Sequence, residues 1–548
     1  MFDRAIPVDI PDFYEPLYRD FISGKGPDPA RPDVSFRDPG SWRAVAEEAL
    51  SSSTATDELW NETSAYNRGL GASEVAMRSI EGLSRRSSAA VLGGQQPGLL
   101  GGPLLVLYKA ATTVALSDYV AEVTGIPCSP IFVVAADDSD VAEVSRCDIY
   151  DKLLRRLTLR FSDEGFPVGG MVGGLSVEEE GELARSLLES FPDAPGREGV
   201  SAVLKDAGGK ARDHGEFVAG LLSSLFSSEG LVLLDGRSPA MRKAGAALFR
   251  SYVSRADELK SAVEAAGERM TELGYHAQIT GGSLESWLFM LEDGIRKKVT
   301  PGAMEAIGRV IDESPESVSP NVALRPIWRE STLPTVCCVC GPSEVAYTLQ
   351  LKDAYRMLGV RAPVLFPRLS STLVPSEAEE TAGEWSEKTL AELLSDFDAA
   401  QTRHYLRRVP RPAREAIENA RKSLEESLRG PAEVLRSHSD RWGKAADSVG
   451  KSALKGLAAL EREMINDKKQ DDRRENPRLK GLAEFLLPEG KLQERTLSLL
   501  YPLLEKDLAF AKDIVDLARA HVRESASGGV RHYCLGLGAE KRRSRRET

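Results

Sequence analysis

The chain is 548 residues long, with 42% hydrophobic and 28% charged residues and a formal net charge of −12. This composition excludes a disordered chain, and the acidic balance argues against a protein that binds nucleic acid phosphates through a basic face. Six cysteines in so long a chain do not form the disulfide framework of a secreted domain, and the acidic, proline-rich start lacks the features of an export signal. We therefore expect a cytoplasmic protein that does not bind a membrane, and we interpret the basic residues at 541–546 as a solvated tail.

Residues 1–87 are predicted to form a helical segment with proline-rich joins that packs on the core. A short apolar run at 88–92 is followed by a glycine-rich turn at 93–103, and from Leu104 onward apolar residues recur at helical spacing. This order predicts a strand, a turn and a helix.

The next strand, at residues 130–136, is apolar throughout, as expected for a parallel strand that is covered on both faces. It ends in Asp137, Asp138 and Asp140, at the position where α/β sheets carry their ligand-binding loops. Residues 88–160 are therefore predicted to be the first half of a Rossmann-type parallel sheet.

A second unit of the same kind follows at residues 319–380, which we predict to be the second half of the core. A β-branched run at 332–340 leads into the turn at 341–342 and then into a helix. Residues 161–318 between the halves are predicted to be a connecting insertion with α/β elements, because they contain a strand signal of their own at 230–235.

Residues 381–475 are rich in Ala, Glu, Lys, Arg and Leu and are predicted to be a helical domain. Leu435, Trp442 and Val449 recur at heptad spacing, which is typical of long antiparallel helices or a short coiled coil. A plain helical domain with a solvated charged face fits the same pattern. Residues 476–548 regain a compact leucine pattern, so we expect a C-terminal helical segment that packs back on the core and ends in the basic tail.

Two features of the first unit are candidates for chemistry. Amides in a glycine turn before a helix can hold an anion, although glycines serve tight packing equally well, and this turn has neither P-loop nor dinucleotide-fingerprint spacing. The acids Asp137, Asp138 and Asp140 can orient an ammonium group, bind Mg²⁺ or a ribose, or cap the loop. The sequence therefore leaves open whether the turn binds an anion or serves packing, and whether the acids bind a ligand or cap the loop.

Two other candidates have a structural alternative. The cysteines at 337, 338 and 340 are interpreted as core packing rather than a metal site or nucleophile, because no second pair has zinc spacing and buried cysteine behaves as a small hydrophobe. His276 lies alone in the insertion, where it is either structural or a substrate contact. No metal site is predicted.

Several ordered blocks resemble those of the BshC family, the cysteine-adding enzymes of bacillithiol biosynthesis. The block at 94–103 with Lys109 resembles the family's GQQ-x-GL-x-x-GP block and its lysine. Further similar blocks occur in the family's order at 66–71, 230–235, 319–326, 341–347, 367–368 and 492–495. The resemblance covers nearly the whole chain.

The resemblance implies an α/β fold with a Rossmann-type parallel sheet core related to class I aminoacyl-tRNA synthetases, an insertion and an α-helical coiled-coil domain that supports a homodimer. It implies a ligase that condenses the carboxyl group of L-cysteine with the amine of glucosaminyl-malate. An amide does not form from a free carboxylate unaided, so ATP or another nucleotide is the expected activating cosubstrate, with Mg²⁺ accompanying it and no tightly bound metal.

The resemblance also assigns roles to residues. Gly94, Gln95, Gln96 and Gly98 are expected to line the cleft and to meet phosphate or carboxylate oxygens. Lys109 is expected either to add a point charge or to be solvated.

In the remaining blocks, Arg325 and Arg368 are candidates to clamp the malate carboxylates, and Glu344 is either a ligand contact or a helix cap. Asp138 and Asp140 are expected to hold the amine, with one of them as base.

The segment after the second strand departs from the family pattern, and Cys340 and Ser343 stand where glycines are expected. The family sequence after the second strand is Glu-Asp-His-Asp, whereas this chain has Asp-Asp-Ser-Asp at 137–140, so Ser139 replaces an imidazole. A serine can still bond an oxyanion, but it is no general base at neutral pH. Two rival functions therefore stay open: an amino-acid-activating ligase with a different amine acceptor, and a catalytically degenerate dimer that binds a nucleotide or sugar.

Overall fold

A computed structural model describes residues 5–9, 13–162, 166–382, 386–475 and 477–537. The predicted basic tail lies outside these residues. The strands are β1 (Ala5–Val8), β2 (Ala89–Gln95), β3 (Cys128–Val134), β4 (Arg146–Tyr150), β5 (Arg156–Arg160), β6 (Val232–Asp235), β7 (Leu288–Glu292), β8 (Ile295–Lys298), β9 (Val318–Pro320), β10 (Thr335–Cys340), β11 (Val364–Pro367), β12 (Ser371–Val374) and β13 (His532–Gly536).

The helices are α1 (Pro16–Ser23), α2 (Trp42–Ser52), α3 (Asp57–Gly69), α4 (Glu74–Ser84), α5 (Leu104–Thr124), α6 (Val141–Val144), α7 (Val177–Ser190), α8 (Arg197–Lys210), α9 (His214–Leu225), α10 (Pro239–Ala244), α11 (Ala246–Ser254), α12 (Ala256–Glu272), α13 (Met304–Glu313), α14 (Leu324–Thr332), α15 (Pro342–Gln350), α16 (Lys352–Met357), α17 (Ser376–Ala382), α18 (Glu387–Ser395), α19 (Phe397–Arg408), α20 (Arg411–His438), α21 (Asp440–Glu475), α22 (Leu482–Leu486), α23 (Leu500–Glu505) and α24 (Ala509–Ser527).

The core is a parallel sheet of five strands in the order β11-β10-β2-β3-β6. From β2 the chain adds β3 and β6 on one side, and it later adds β10 and β11 on the other side. The strand order therefore reverses between β2 and β10, which is where sheets of this type bind their ligands. The predicted Rossmann-type sheet is confirmed.

Helix α5 is buried on nearly all sides against this sheet and against α24. Within the described ranges it is the one helix whose length and composition would allow it to cross a membrane, with a mean hydropathy of 1.3. The fold nevertheless buries 78% of its apolar window, which is the pattern of a helix in the centre of a core.

Three elements differ from the sequence prediction. Strand β6, predicted as part of the insertion, is the edge strand of the core sheet and pairs with β3. The N-terminal and C-terminal segments, predicted to be helical, contribute β1 and β13, which form a second sheet with β12. All of these strands are four or five residues long, so periodicity alone cannot assign them to a sheet.

The helical domain contains the predicted pair of long helices. Helices α20 and α21 are joined at Ser439 and run antiparallel, because Arg421 pairs with Glu461 at 3.0 Å and Arg436 pairs with Asp447 at 2.7 Å. The coiled-coil prediction is therefore confirmed over these helices.

The cysteine cluster lies on β10, the strand beside β2 in the core sheet. Cys337, Cys338 and Cys340 are all buried, and burial raises the pKa of each thiol well above its usual range. Such thiols do not ionise near neutral pH. Cys337 and Cys340 pack as small apolar groups, whereas the Cys338 thiol donates to Glu330 Oε1 at 3.0 Å.

The second sheet contains a fully buried histidine. The His532 imidazole lies between the hydroxyl groups of Ser370, at 2.8 Å from Nδ1, and Thr372, at 2.9 Å from Nε2. Burial lowers the pKa of His532 to about 4, so the imidazole is neutral in the folded protein above that pH.

We predict that His532→Gln makes the protein less sensitive to mild acid. The unfolded histidine has a pKa of about 6.5, so the unfolded chain binds the proton first. Stability that is present above pH 6.5 is therefore lost as the pH falls towards 4, by about 1.4 kcal/mol per pH unit for this residue. Urea unfolding between pH 7 and 5 should give a shallower loss for the variant than for the parent. Replacing the exposed His438 with Gln is the control, and equal slopes for all three proteins would contradict the prediction.

Candidate functional site

The predicted site residues gather where the core sheet reverses its strand order. Gln96 follows β2, Asp138 follows β3, and Gly341 follows β10, so all three lie at the carboxyl edge of the sheet. We call this edge the switch-point cleft and define it by the residues that follow β2, β3 and β10. Beside Gly94 and Glu344 the cleft encloses only about 20 Å³ of free space.

Lys109 connects the two halves of the cleft from below. Its side chain is only 2% exposed, and its Nζ donates to the Gly94 carbonyl at 2.8 Å and to Gln95 Oε1 at 3.0 Å. The same Nζ pairs with Glu344 Oε2 at 2.7 Å. The alternative that Lys109 is solvated is therefore wrong, because every one of its protons faces a protein oxygen.

Glu344 has the cap function as well as the ion pair. Its Oε2 accepts the amide proton of Gly341 at 2.8 Å, which satisfies an amide at the start of α15. The carboxylate thus ties the turn after β10 to the lysine beneath β2.

Asp138 is the centre of the other half of the cleft. Its carboxylate accepts protons from Gln96 Nε2 and from the Ser139 amide, each at 2.8 Å. Arg325 and Arg296 lie at 3.5 Å from its two oxygens. Burial alone would raise the pKa of Asp138, but these four donors together hold it below its usual value. An ionised, well-bonded carboxylate of this kind positions other groups better than it accepts a proton.

A buried group of arginines surrounds this carboxylate and its neighbour Asp137. Arg325 donates to Asp137 at 3.1 Å, and Arg242 and Arg296 are both nearly fully buried. Arg242 Nε and Nη2 and Arg296 Nε have no hydrogen-bond partner in the part of the chain that the structure describes. Burial, followed by the charge of Arg325, lowers the pKa of Arg296 to about 10. Buried guanidinium nitrogens without a partner favour the binding of an anion.

Sequence reasoning found Arg325 but missed Arg242 and Arg296. Both come from elements between the two predicted halves of the core, Arg242 on α10 and Arg296 on β8. Neither lies in a recognisable motif, so only the folded arrangement brings them to the site.

The second part of the glycine turn, at residues 100–104, does not offer the free amides that an anion site needs. The Leu100 amide donates to Glu180 Oε1 at 2.6 Å, the Gly102 amide to the Leu99 carbonyl at 3.0 Å, and the Leu104 amide to the Leu497 carbonyl at 2.8 Å. Phosphate binding by this part of the turn is therefore not what the structure provides.

Close packing explains the turn's glycines. A Cβ at Gly98 would lie 2.6 Å from Gly102 Cα, and a Cβ at Gly94 would lie 2.7 Å from the Val133 carbonyl oxygen. Backbones approach each other at these two positions more closely than any side chain allows.

A buried histidine that the sequence did not single out supports the turn. His214 Nε2 lies 2.7 Å from the Pro97 carbonyl oxygen, and Nδ1 contacts the carboxylate of Glu180. Burial alone would lower the pKa of His214, but the attraction of Glu180 raises it overall. The pair thus connects α7 and α9 to the glycine turn.

Four predicted residues have other surroundings. Ser139 is partly buried next to Asp138, whereas Asp140 is exposed and its carboxylate caps α6 by accepting the Glu143 amide at 3.3 Å. His276 is exposed in the loop that follows α12. Arg368, expected to clamp malate, is buried and pairs with Glu494 at 2.6 Å. That pair holds the segment before β12 to the C-terminal part of the chain, so the expected ligand contact is replaced by an internal one.

Comparison with known proteins gives the family. The model of the N-terminal Rossmann-like domain of bacillithiol biosynthesis BshC matches residues 12–369, and the model of its C-terminal coiled-coil domain matches residues 372–524. The chain belongs to the BshC family. Two relatives described as "Putative cysteine ligase BshC" come from Koribacter versatilis, 30% identical and covering 82% of this chain and 86% of the relative, and from Salinibacter ruber, 26% identical and covering 87% and 90%.

A solved chain from Campylobacter jejuni, described as a "putative arginyl t-RNA synthetase", is 11% identical and covers 91% of this BshC chain and 99% of its own length. Its TM-score is 0.21, which is too low to support an argument about fold. The expected relation of this BshC protein to class I synthetases therefore stays a prediction.

We predict that Lys109→Met lowers the free energy of unfolding by about 3 kcal/mol, because it leaves Glu344 without its buried partner. The double variant Lys109→Met/Glu344→Gln should lose less than the sum of the two single variants. Urea unfolding of the four proteins gives the coupling energy. Lys444→Met, which removes an exposed pair with Asp440 on α21, is the matched control, and additive single effects at Lys109 and Glu344 would contradict the prediction.

Proposed function

We propose that this chain is a cysteine ligase of bacillithiol biosynthesis that joins the carboxyl carbon of L-cysteine to the amine of glucosaminyl-malate. Membership of the BshC family and the names of the relatives support the reaction class. The observation that carries the proposal is the set of buried guanidinium nitrogens without a partner in the described residues, beside Asp137 and Asp138 at the carboxyl edge of the sheet. Arginine forks suit carboxylates, and the malate part of the acceptor carries two of them.

In this proposal the arginines bind the malate carboxylates, and Asp138 holds the neighbouring side chains in position. Arg325 is partly exposed to the cleft and is held by Asp137 and Asp138, so its guanidinium is oriented before a ligand arrives. The lowered pKa of Asp138 makes it a poor proton acceptor. We therefore propose that Asp140, which is solvent-exposed in the same loop, accepts the proton of the attacking amine. Asp138 instead holds the arginines and Gln96 in place.

The carboxyl group of cysteine needs activation before an amine can displace one of its oxygens. We propose ATP or another nucleotide with Mg²⁺ for this task, because transfer of a phosphoryl or adenylyl group turns that oxygen into a good leaving group. The amides at residues 100–104 do not fit its phosphates, since they are bonded within the protein. We therefore assign none of these amides to the nucleotide.

Two rival functions are an amino-acid-activating ligase with another acceptor and a degenerate dimer that binds a nucleotide or sugar. Ser139 in place of the family histidine favours the second rival, because a serine cannot act as a general base at neutral pH. Product formation from cysteine and glucosaminyl-malate separates our proposal from both rivals. The six cysteines are free thiols, which supports our proposal that the protein works in the reducing cytoplasm.

We predict that Asp138→Asn lowers kcat/KM by about a hundredfold or more, as for the loss of a group that organises several ligand contacts. Ser139→Ala should cost less than about tenfold, as for one partly redundant hydrogen bond. Purified protein would be incubated with cysteine, glucosaminyl-malate and ATP, and the thiol product followed by mass spectrometry.

Asp193→Asn is the matched control for this assay, because Asp193 is exposed and pairs only with Lys152. If the Asp138→Asn variant formed product at the parental rate, Asp138 would not belong to the active site. The absence of product from the parent, with ligand binding retained, would instead favour the degenerate dimer.

We also propose a homodimer that forms through the coiled-coil helices. Exposed apolar side chains accumulate on α20 and α21, where Trp442 is 55% and Val449 is 62% exposed. Val434, Leu435 and Leu460 are exposed on the same pair of helices. Apolar side chains in such number favour burial against another surface, and a second copy presents the same residues.

We predict that Trp442→Glu combined with Val449→Glu produces a monomer of normal stability, because two charges would have to be buried at the interface. Light scattering after size-exclusion chromatography measures the mass. Leu273→Glu, an exposed leucine after α12, is the control and should leave the mass unchanged. A variant that keeps the dimer mass would place the interface elsewhere, and a monomeric parent would refute the homodimer.

A further inference from the structure

A cavity lies at the amino edge of the core sheet, on the opposite side from the switch-point cleft. The ends of α2, α10 and α14, one face of α11 and the segment after α16 form its walls. We call it the rear cavity and define it by Glu330 and Thr335 at its buried floor and by Glu48 and Ser251 at its exposed rim. It measures about 230 Å³, which is below the size of sites for drug-sized ligands and suits a compact molecule.

The hydroxyl groups that line the rear cavity have already donated their protons. Thr54 Oγ1 donates to a carbonyl at the end of α10 at 3.0 Å, and Thr335 Oγ1 donates to the Leu333 carbonyl at 3.3 Å. Ser251 and Ser331 donate to carbonyls of their own helices at 3.0 and 2.9 Å. A hydroxyl has one proton, so each of these groups offers a ligand only the lone pairs of its oxygen.

The charged groups of the lining add further acceptors. The Glu330 carboxylate accepts protons from two neutral donors, the Cys338 thiol at 3.0 Å and the Tyr355 hydroxyl at 2.8 Å. Burial raises the pKa of Glu330, so a positive charge beside it would stabilise its ionised form. At the rim, Glu48 pairs with Arg361, which is the one cation among the described lining residues.

The backbone around the rear cavity also favours a positive charge. Helices α2 and α14 both end at its wall, and the carbonyl end of a helix carries the negative end of the helix dipole. Between the rim and the floor the wall is apolar, with Ala49, Ala247, Leu248 and Val360. The lining therefore combines acceptors for a cation with a surface for a short hydrocarbon chain.

We propose that the rear cavity binds a short aliphatic amine, with its ammonium group at the floor against Glu330 and Thr335 and its carbon chain along the apolar wall. The acceptors and helix ends that attract the ammonium disfavour carboxylates and phosphates. Helix α14 carries Arg325 in its first turn and Glu330 in its last turn. The amine would therefore bind at the opposite end of this helix from the arginine that we assign to malate, and the inference does not rest on the proposed function.

The test is calorimetry on the full-length protein without substrates, with 1,4-diaminobutane as the probe. The diamine should bind at one site, whereas 1,4-butanediol, of equal length but uncharged, and the anion succinate should not. Because the chain has a net charge of −12, the titration is done at about 0.15 M salt, which screens attraction to the rest of the surface.

Two variants locate the site. Ser251→Trp places a ring from the exposed rim into the cavity and should raise the Kd for the diamine on the order of twentyfold, whereas Ser254→Trp, exposed on the same helix outside the lining, should not. Glu48→Gln removes a half-exposed charge and should raise the Kd about fivefold. Its control is Glu47→Gln, the neighbouring acid, which pairs with Arg43 outside the cavity.

Three results would overturn the inference: no binding of the diamine by the parent, binding of the diol or succinate as tight as that of the diamine, or a parental Kd in folded Ser251→Trp. Product formation in the ligase assay bears on none of them. A protein that fails as a ligase but binds the diamine in this way keeps the rear site, and an active ligase that does not bind the diamine loses it.

Discussion

A buried ammonium group holds the centre of this fold together. Lys109 rises from the core helix α5 with no access to water, so each of its protons must find an oxygen within the protein. It finds them on the last residues of β2 and on Glu344 at the start of α15, which belong to the two halves of the sheet. The ammonium group of Lys109 therefore holds the two halves of the sheet together where the strand order reverses, in addition to the backbone pairing. The positions of the residues that line the cleft depend on this contact.

The other side of the cleft contains buried polar groups that lack partners among the described residues. Beside Asp137 and Asp138, three nitrogens of the buried Arg242 and Arg296 have no hydrogen-bond partner among the described residues. Such a cluster costs stability when no anion is bound, and proteins retain such costs mainly where a ligand compensates for them. The cleft therefore combines a fully satisfied half, which is structural, with an under-satisfied half, which is suited to recognition.

Local patterns in the sequence predict the parts of this molecule that depend on local order. The apolar run of β3 and the acids that follow it have the expected structures, and the composition of residues 381–475 correctly predicts long helices. The heptad spacing of Leu435, Trp442 and Val449 does not run along one helix, because Leu435 lies on α20 and the other two on α21, and all three side chains are exposed. Contacts between distant segments are a different matter. Arg368 was predicted to bind a ligand carboxylate, but it pairs with Glu494, which lies more than a hundred residues away. Sequence periodicity does not predict such a pair. Arg296 and the edge position of β6 were missed for the same reason, because only the tertiary arrangement gives them a role.

The small sheet of β1, β12 and β13 has a consequence for how the chain acquires its structure. Ala5 pairs with Leu535, and β13 itself lies beside β12. During synthesis β1 must therefore wait for its partner until residues 532–536 have left the ribosome. The closure of so long a loop is entropically unfavourable, and it becomes worthwhile only after the parallel core has formed. An unpaired apolar strand can pair with other chains during that delay. The pairing of β1 with β13 is therefore the last part of the described fold to be protected from aggregation.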